Sequence, residues 1–197
     1  MTKTSTMEVE SKYHLTEEEL GKELKEIEAA KKDPKKFAVM YDRYYEQIFR
    51  FIYQRVDDKD VAFDTTQQVF VKAIEKLKDY EYRGVPFASW LYRVALNEIN
   101  QLFRQNEKCR TINIETGEVY GIIDELQEEP LEKYYEAMVN TISTLPEDEL
   151  QIIEMRFFEK RSFKEIGLIY NITENNAKVR LYRILEKLKR SLSLTPA

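Results

Sequence analysis

Apolar residues recur along this chain at intervals of three and four, which lines them up on one face of successive helices. The first such run begins at Thr16, where Thr16-x-x-Glu19 has the form of a capping box; Leu20, Leu24 and Ile27 follow at helical spacing until Asp33-Pro34 stops them. Polar residues outnumber apolar ones in this run, which predicts a peripheral helix. A second helix starts at Pro34, a favoured first-turn residue, and its Phe37, Tyr41, Tyr44, Ile48, Phe51 and Ile52 make a stripe broad enough for a core. The cluster Asp57-Asp58-Lys59-Asp60 breaks and restarts the chain, and Ala62, Thr66, Val69, Ala73 and Leu77 line one face of a third helix. Beyond the loop DYEYRGVP, a fourth helix is predicted from about Pro86 or Phe87 to Glu107. It is apolar on two sides, with Phe87, Leu91, Val94, Ala95 and Leu102 on one and Leu96, Ile99 and Phe103 on the other. Both sides need cover, from neighbouring helices or from a partner.

From about Cys109 to Pro130 the periodicity lapses, Gly117 and Gly121 appear, and acidic residues accumulate, so this stretch reads as a linker. A second helical unit begins near Leu131, pauses at STLPED with Pro146 at a helix start, and runs on through ELQIIEMRFFEK. Ser162-x-x-Glu165 is a second capping box, opening a helix whose Phe163, Ile166 and Tyr170 point one way. Tyr170-Asn171-Ile172 forms a turn and Thr173 caps the last helix, in which Ala177, Leu181, Ile184 and Leu188 share a face. Asn175, Val179, Tyr182, Arg183 and Glu186 lie opposite, flanked by Asn176 and Lys178. Two short helices around a tight turn form a helix-turn-helix. The mixed outer face suits a reader of the major groove, since Asn and Arg can grip base edges with two hydrogen bonds while apolar groups meet the thymine methyl. Lys160, Arg161, Lys187 and Arg190 are placed to meet phosphates.

Composition agrees with an all-α protein: five Gly and five Pro in 197 residues leave few chain breakers. The net charge of −5 argues against a nucleic-acid partner until it is divided by segment. Glu115 to Glu149 holds eleven acidic residues and one lysine, whereas Arg156 to Arg190 holds ten Lys or Arg against four Glu. A basic module attached through an acidic connector is the pattern of a polyanion binder. The single histidine, His14, leaves no His-rich zinc site and no Ser-His or Cys-His catalytic arrangement. The lone Cys109 has no partner for a disulfide or a metal, no phosphate-cradling glycine loop is present, and no cofactor is implied. Apolar runs are short and broken by charge, and MTKTSTMEVESKYH lacks the apolar core of a signal peptide, so no membrane insertion and a cytoplasmic location are expected.

Two segments together resemble a bacterial RNA polymerase sigma factor of the extracytoplasmic-function class. The chain from Phe37 to Arg104 looks like sigma region 2, and that from Leu145 to Arg190 like region 4. The resemblance implies two small helical domains, with residues 34–108 forming region 2, 109–130 an acidic linker and 131–197 region 4, preceded by an N-terminal extension over 1–33. It implies that Asp64, Gln67 and Gln68 of DTTQQVF, matching the family's Asp-x-x-Gln-[Glu/Asp] signature, dock on the clamp coiled coil of core polymerase. Phe63 and Thr65 depart from the residues usual there. It implies too that the loop Tyr82–Pro86 and the helix after it take a flipped base and the melted minus-10 strand, with Arg83, Phe87, Arg93, Asn97 and Arg104 as candidates. Trp90 is expected to pack in the core, and with only one Trp, duplex melting is expected to be weak. Asn175, Asn176, Lys178, Val179, Tyr182 and Arg183 become the minus-35 reading edge. The family commonly has an anti-sigma partner, which could cover the fourth helix, though nothing in the chain identifies one. Two alternatives stay open on sequence: a stand-alone helix-turn-helix regulator, and a sigma-like protein that sequesters a partner.

Overall fold

The computed structural model describes residues 15–106, 116–126 and 131–193; His14, Cys109 and the two ends of the expected linker lie outside them. The helices are α1 (Glu17–Lys32), α2 (Ala38–Val56), α3 (Lys59–Lys76), α4 (Phe87–Asn106), α5 (Thr116–Glu125), α6 (Leu131–Ser143), α7 (Glu147–Ile153), α8 (Phe163–Tyr170) and α9 (Glu174–Ser193). Among the described residues there is no strand, as the scarcity of turn residues predicts. The breaks are set by short polar side chains. Asp57 ends α2 in a left-handed conformation (φ 49°), and Asp58 Oδ1 then accepts from the amides of Asp60 and Val61, both at 3.1 Å, to start α3.

Two apolar clusters organise the helices. The first gathers Met40, Ile48, Phe51, Ile52, Ala62, Val69, Ala73, Phe87, Leu91 and Ala95 from α2, α3 and α4. The second gathers Val119, Ile122, Ile123, Met138, Ile142, Leu150, Ile153, Leu181, Ile184 and Leu188 from α5, α6, α7 and α9. The first cluster also takes in Met155, Ile166, Ile169 and Ala177, so the C-terminal unit supplies cover for α4. α4 packs on α2 and α3 with one side and on α8 with another.

Two expectations change. The acidic stretch contains a helix, α5, whose Val119, Ile122 and Ile123 are buried beside Met138 and Ile142. Ten residues of weak periodicity conceal it in the sequence, because its apolar positions form a single short stripe. The polar helix α1 is less peripheral than its composition suggests: Glu23, Ile27 and Ala30 are buried. Glu23 reaches the start of α4, where its carboxylate accepts the Phe87 amide at 2.9 Å and the Tyr44 hydroxyl. Burial pushes its pKa up, against the lowering effect of those two hydrogen bonds. A carboxylate at a helix N-terminus satisfies an otherwise orphaned amide, and here it ties the N-terminal extension to the loop preceding α4.

Both capping boxes form, at Thr16/Glu19 and Ser162/Glu165. Between α8 and α9 the chain turns at Asn171 (φ 55°, ψ 44°), with the Ile172 amide donating back to the Gly167 carbonyl at 2.8 Å. A Cβ on Gly167 would stand 2.9 Å from the Ile172 carbonyl oxygen and 3.2 Å from the Glu174 nitrogen. Both neighbours are backbone of the turn, so a side chain there pushes the two helices apart. Gly21, within α1, has open space where its Cβ would be. Gly167→Ala is therefore expected to destabilise the fold by about 1–3 kcal/mol, whereas Gly21→Ala stabilises it by about 0.4–1 kcal/mol. Thermal unfolding followed by circular dichroism checks the opposite signs.

Candidate nucleic-acid and polymerase interfaces

The helix-turn-helix presents one buried and one exposed row. Ala177, Leu181, Ile184 and Leu188 are buried, while Asn175, Asn176, Lys178, Val179, Tyr182 and Arg183 are all exposed. Thr173 Oγ1 accepts from the Asn176 amide at 3.2 Å, capping α9 as its position predicts. Val179 and Tyr182 are exposed apolar side chains bordered by cations, with Lys178 Nζ 6.0 Å from the Tyr182 ring centre. Arg180 Nε donates to Asn176 Oδ1 at 3.0 Å, which fixes the amide's orientation. Arg183 stands with Val179 and Tyr182 along a shallow groove that continues to Lys187 and Arg190. Among the proposed phosphate contacts, Lys160 and Arg190 are exposed, and Lys187 pairs with Glu149 at 2.6 Å. Arg161 is a correction. It is 1% exposed, its guanidinium lying 4.9 Å from the Tyr92 ring centre and 3.2 Å from Glu165, so it cannot reach a phosphate in this arrangement.

In the N-terminal unit, Arg83, Arg93 and Asn97 converge on a cleft of about 270 Å³ also lined by Lys76, Tyr80, Val85 and Trp90. Gly84, with φ 71°, lets the loop fold over this cleft. Phe87 is not part of its wall. It is fully buried, edge-on to Tyr80 at 5.1 Å and against Tyr44 and Phe37, because the first residue of α4 points into the core. The half-buried Trp90, one turn on, takes that place, 5.2 Å from both Tyr80 and Phe87. It packs on the core, as expected, and still lines the cleft. Arg104 sits apart, exposed near the end of α4 with its Nε on the Asn100 carbonyl at 3.2 Å. The sequence pattern did not single out Lys76; its position at the end of α3, pointing toward the loop, is visible only once α3 and α4 are packed. Leu168 of α8 also lines the cleft, and Lys164 comes close to Gly84.

On α3, Asp64 and Gln68 are exposed one turn apart. Gln67 is turned toward α2, where its Nε2 donates to the Tyr41 hydroxyl at 3.1 Å. The exposed Phe63 adds an apolar group beside Asp64. None of the helices among the described residues is long and apolar enough to cross a membrane.

A helical chain pairing a helix-turn-helix with a separate aromatic and cationic cleft has the makings of a two-site nucleic-acid binder. Comparison with known proteins narrows this. Residues 40–109 match the family model for sigma-70 region 2, and residues 141–190 that for sigma-70 region 4. The sequence is 29% identical over 166 residues to the ECF RNA polymerase sigma-E factor of Escherichia coli, covering 79% of this chain and 86% of that protein. It is 26% identical over 152 residues to the ECF RNA polymerase sigma factor SigM of Bacillus subtilis, covering 76% of this chain and 91% of SigM. With the ECF RNA polymerase sigma factor BldN of Streptomyces coelicolor it shares 26% identity over 161 residues, spanning 79% of this chain and 60% of BldN. Among solved structures, that of CnrH in complex with the cytosolic domain of CnrY shares the fold, with a TM-score of 0.57 and 17% identity over 88% of this chain and 99% of that one. The chain belongs to the sigma-70 family, in its extracytoplasmic-function class.

Proposed function

We propose that this chain binds core RNA polymerase and directs it to particular promoters, reading the minus-35 element with α9 and the melted minus-10 strand with the cleft of the N-terminal unit. The observation that supports this most is the exposed edge Asn175, Asn176, Lys178, Val179, Tyr182 and Arg183 on a helix whose opposite row is buried. Asn and Arg side chains discriminate base edges, and Val179 and Tyr182 supply apolar contact. In the N-terminal unit, Trp90 offers a stacking surface, Asn97 an edge-reading amide, and Lys76, Arg83 and Arg93 the charge for an unpaired strand. Arg104, farther along α4, extends that cationic track. Asp64 and Gln68, with Gln67 behind them, form the polymerase-docking face.

Residues 34–108 thus act as region 2 and 131–197 as region 4, with α5 assigned to the second unit's core. The 1–33 segment contributes Glu23 to the start of α4. The chain performs no catalytic step of its own, needs no cofactor and works in the cytoplasm, where polymerase carries out the chemistry. Each module alone binds weakly, and holding both on one polymerase raises the effective concentration of each at its element. An anti-sigma partner belongs to this reading as a class, without a surface assigned to it.

Run-off transcription with core polymerase and a genomic promoter pool tests the function: sequence-specific transcripts are expected only when the chain is added. Specific operator binding without polymerase would instead favour a stand-alone regulator. Asp64→Lys with Gln68→Lys is expected to weaken core-polymerase binding with helicity unchanged, read by titration against the core enzyme; unaltered affinity would remove the docking assignment. Arg183→Ala is expected to cost about 1–3 kcal/mol at one promoter position if it grips a base edge, and less, uniformly across sequences, if it meets only phosphate. Binding to a panel of minus-35 variants separates the two.

A further inference from the structure

α1 holds the loop of the cleft at both of its ends. Lys31 Nζ donates to the Tyr80 carbonyl at 2.8 Å, with the Tyr80 ring centre 5.9 Å away. Eight residues earlier, about 12 Å along the helix axis, the buried Glu23 accepts the Phe87 amide at 2.9 Å. Residues 81–86, between these anchors, form neither helix nor strand, and Arg83, Val85 and Pro86 among them line the cleft. A segment of that kind takes its shape from the scaffold that fixes its ends. Here one helix fixes both.

The anchors are themselves held. Glu23 also accepts the Tyr44 hydroxyl and stands 3.9 Å from Arg43, so donors from α2 and α4 meet on one carboxylate. Lys31 pairs with Glu28 at 2.8 Å, one turn back on α1. Ile27 and Ala30, between the two anchors, are each 1% exposed and join Leu77 and Tyr80 in the first apolar cluster. α1 therefore cannot turn or slide without opening that cluster. Its position passes on through rings: Tyr80 lies edge-on to Phe87 at 5.1 Å and to Trp90 at 5.2 Å, and Trp90 lines the cleft.

We propose that Glu23 and Lys31 are positioning residues for base selection, clamping the 80–87 segment so that Arg83, Trp90 and Asn97 meet a flipped base in one geometry. Neither residue touches the strand. A loop free at its ends adapts to a mismatched base, whereas a clamped loop leaves the polar edge of the mismatch unpaired, and that difference is what discrimination consists of. The 1–33 segment thereby sets selectivity from behind the cleft. The clamp stands on geometry, and its consequence for DNA rests on the minus-10 reading of the cleft proposed above.

The test uses the full chain and four variants. Lys31→Met removes the donor and keeps an apolar stem, and Lys31→Arg restores a donor; Glu23→Ala removes the acceptor, and Glu23→Gln keeps an oxygen for the Phe87 amide. The Lys31 side chain is 21% exposed and its partner Glu28 55%, so the Lys31 pair spares the fold should Glu23→Ala not. Trp90 is the single tryptophan, so acrylamide quenching of its fluorescence reports the cleft wall directly. Transcription with core polymerase is then measured on templates carrying each base at each minus-10 position, and on a matching minus-35 panel. Lys31→Met is expected to make Trp90 more quenchable and to lower minus-10 discrimination about fivefold, the factor one hydrogen bond is worth. Core affinity and minus-35 discrimination stay unchanged, and Lys31→Arg returns both altered readouts toward wild type. Quenching unchanged in folded Lys31→Met and Glu23→Ala overturns the clamp, as does an equal loss of discrimination on both panels, which marks a fold-wide defect. A more quenchable Trp90 with minus-10 discrimination intact upholds the clamp and counts against the minus-10 assignment.

Discussion

α4 is a twenty-residue helix that is apolar on two sides, and the placement of almost everything else follows from covering it. α2 and α3 cover one side with Phe51, Ile52, Val69 and Ala73; α8 comes over the other. The start of the same helix is tied down by Glu23 from α1, and its first two turns carry Ser89 and Tyr92 toward the C-terminal unit. The helix therefore serves two masters. Its partly exposed Trp90, Arg93 and Asn97 line the cleft, while its buried Ser89 and Tyr92 hold the cover over that cleft.

Glu165 shows how closely local and long-range structure are coupled. As the third residue of α8 it closes the capping box with Ser162, its carboxylate accepting the Ser162 amide at 2.9 Å. Its other oxygen takes Arg161 and Ser89. One carboxylate thus starts the first helix of the helix-turn-helix and fixes that helix against α4. A buried carboxylate with fewer donors would carry a large desolvation cost, and the set of donors around it exists in only one relative position of the two units. Such contacts define a geometry more than they add stability, since a buried ion pair returns little net free energy once its desolvation is counted.

Much of this was legible in the amino-acid order. The capping boxes, the α8–α9 turn, the buried row Ala177, Leu181, Ile184 and Leu188, and the double-sided α4 all follow from spacing, because each is local and each repeats with the helical period. What escaped was non-local or short. α5 presents one stripe too brief to distinguish from a connector, and Glu23 looks like one more acidic residue on a polar helix until the α4 N-terminus is brought to it. Phe87 and Arg161 failed for a shared reason. An aromatic at a helix start and an arginine beside a basic helix look available to DNA, but the direction of each side chain is decided by packing from elsewhere in the chain.

The π turn at Glu154–Phe158 is the hardest feature to foresee, and it carries the relation between the two units. EMRFF gives no sign of an i→i+5 closure, since every residue in it is acceptable in an α-helix. One extra residue in that turn costs the chain a poorer hydrogen-bond geometry, and a π turn persists where surrounding contacts repay it. Here the repayment is visible: Glu154 reaches Arg55 and Glu159 reaches Tyr92 at once, which a regular helix would deny to one of them.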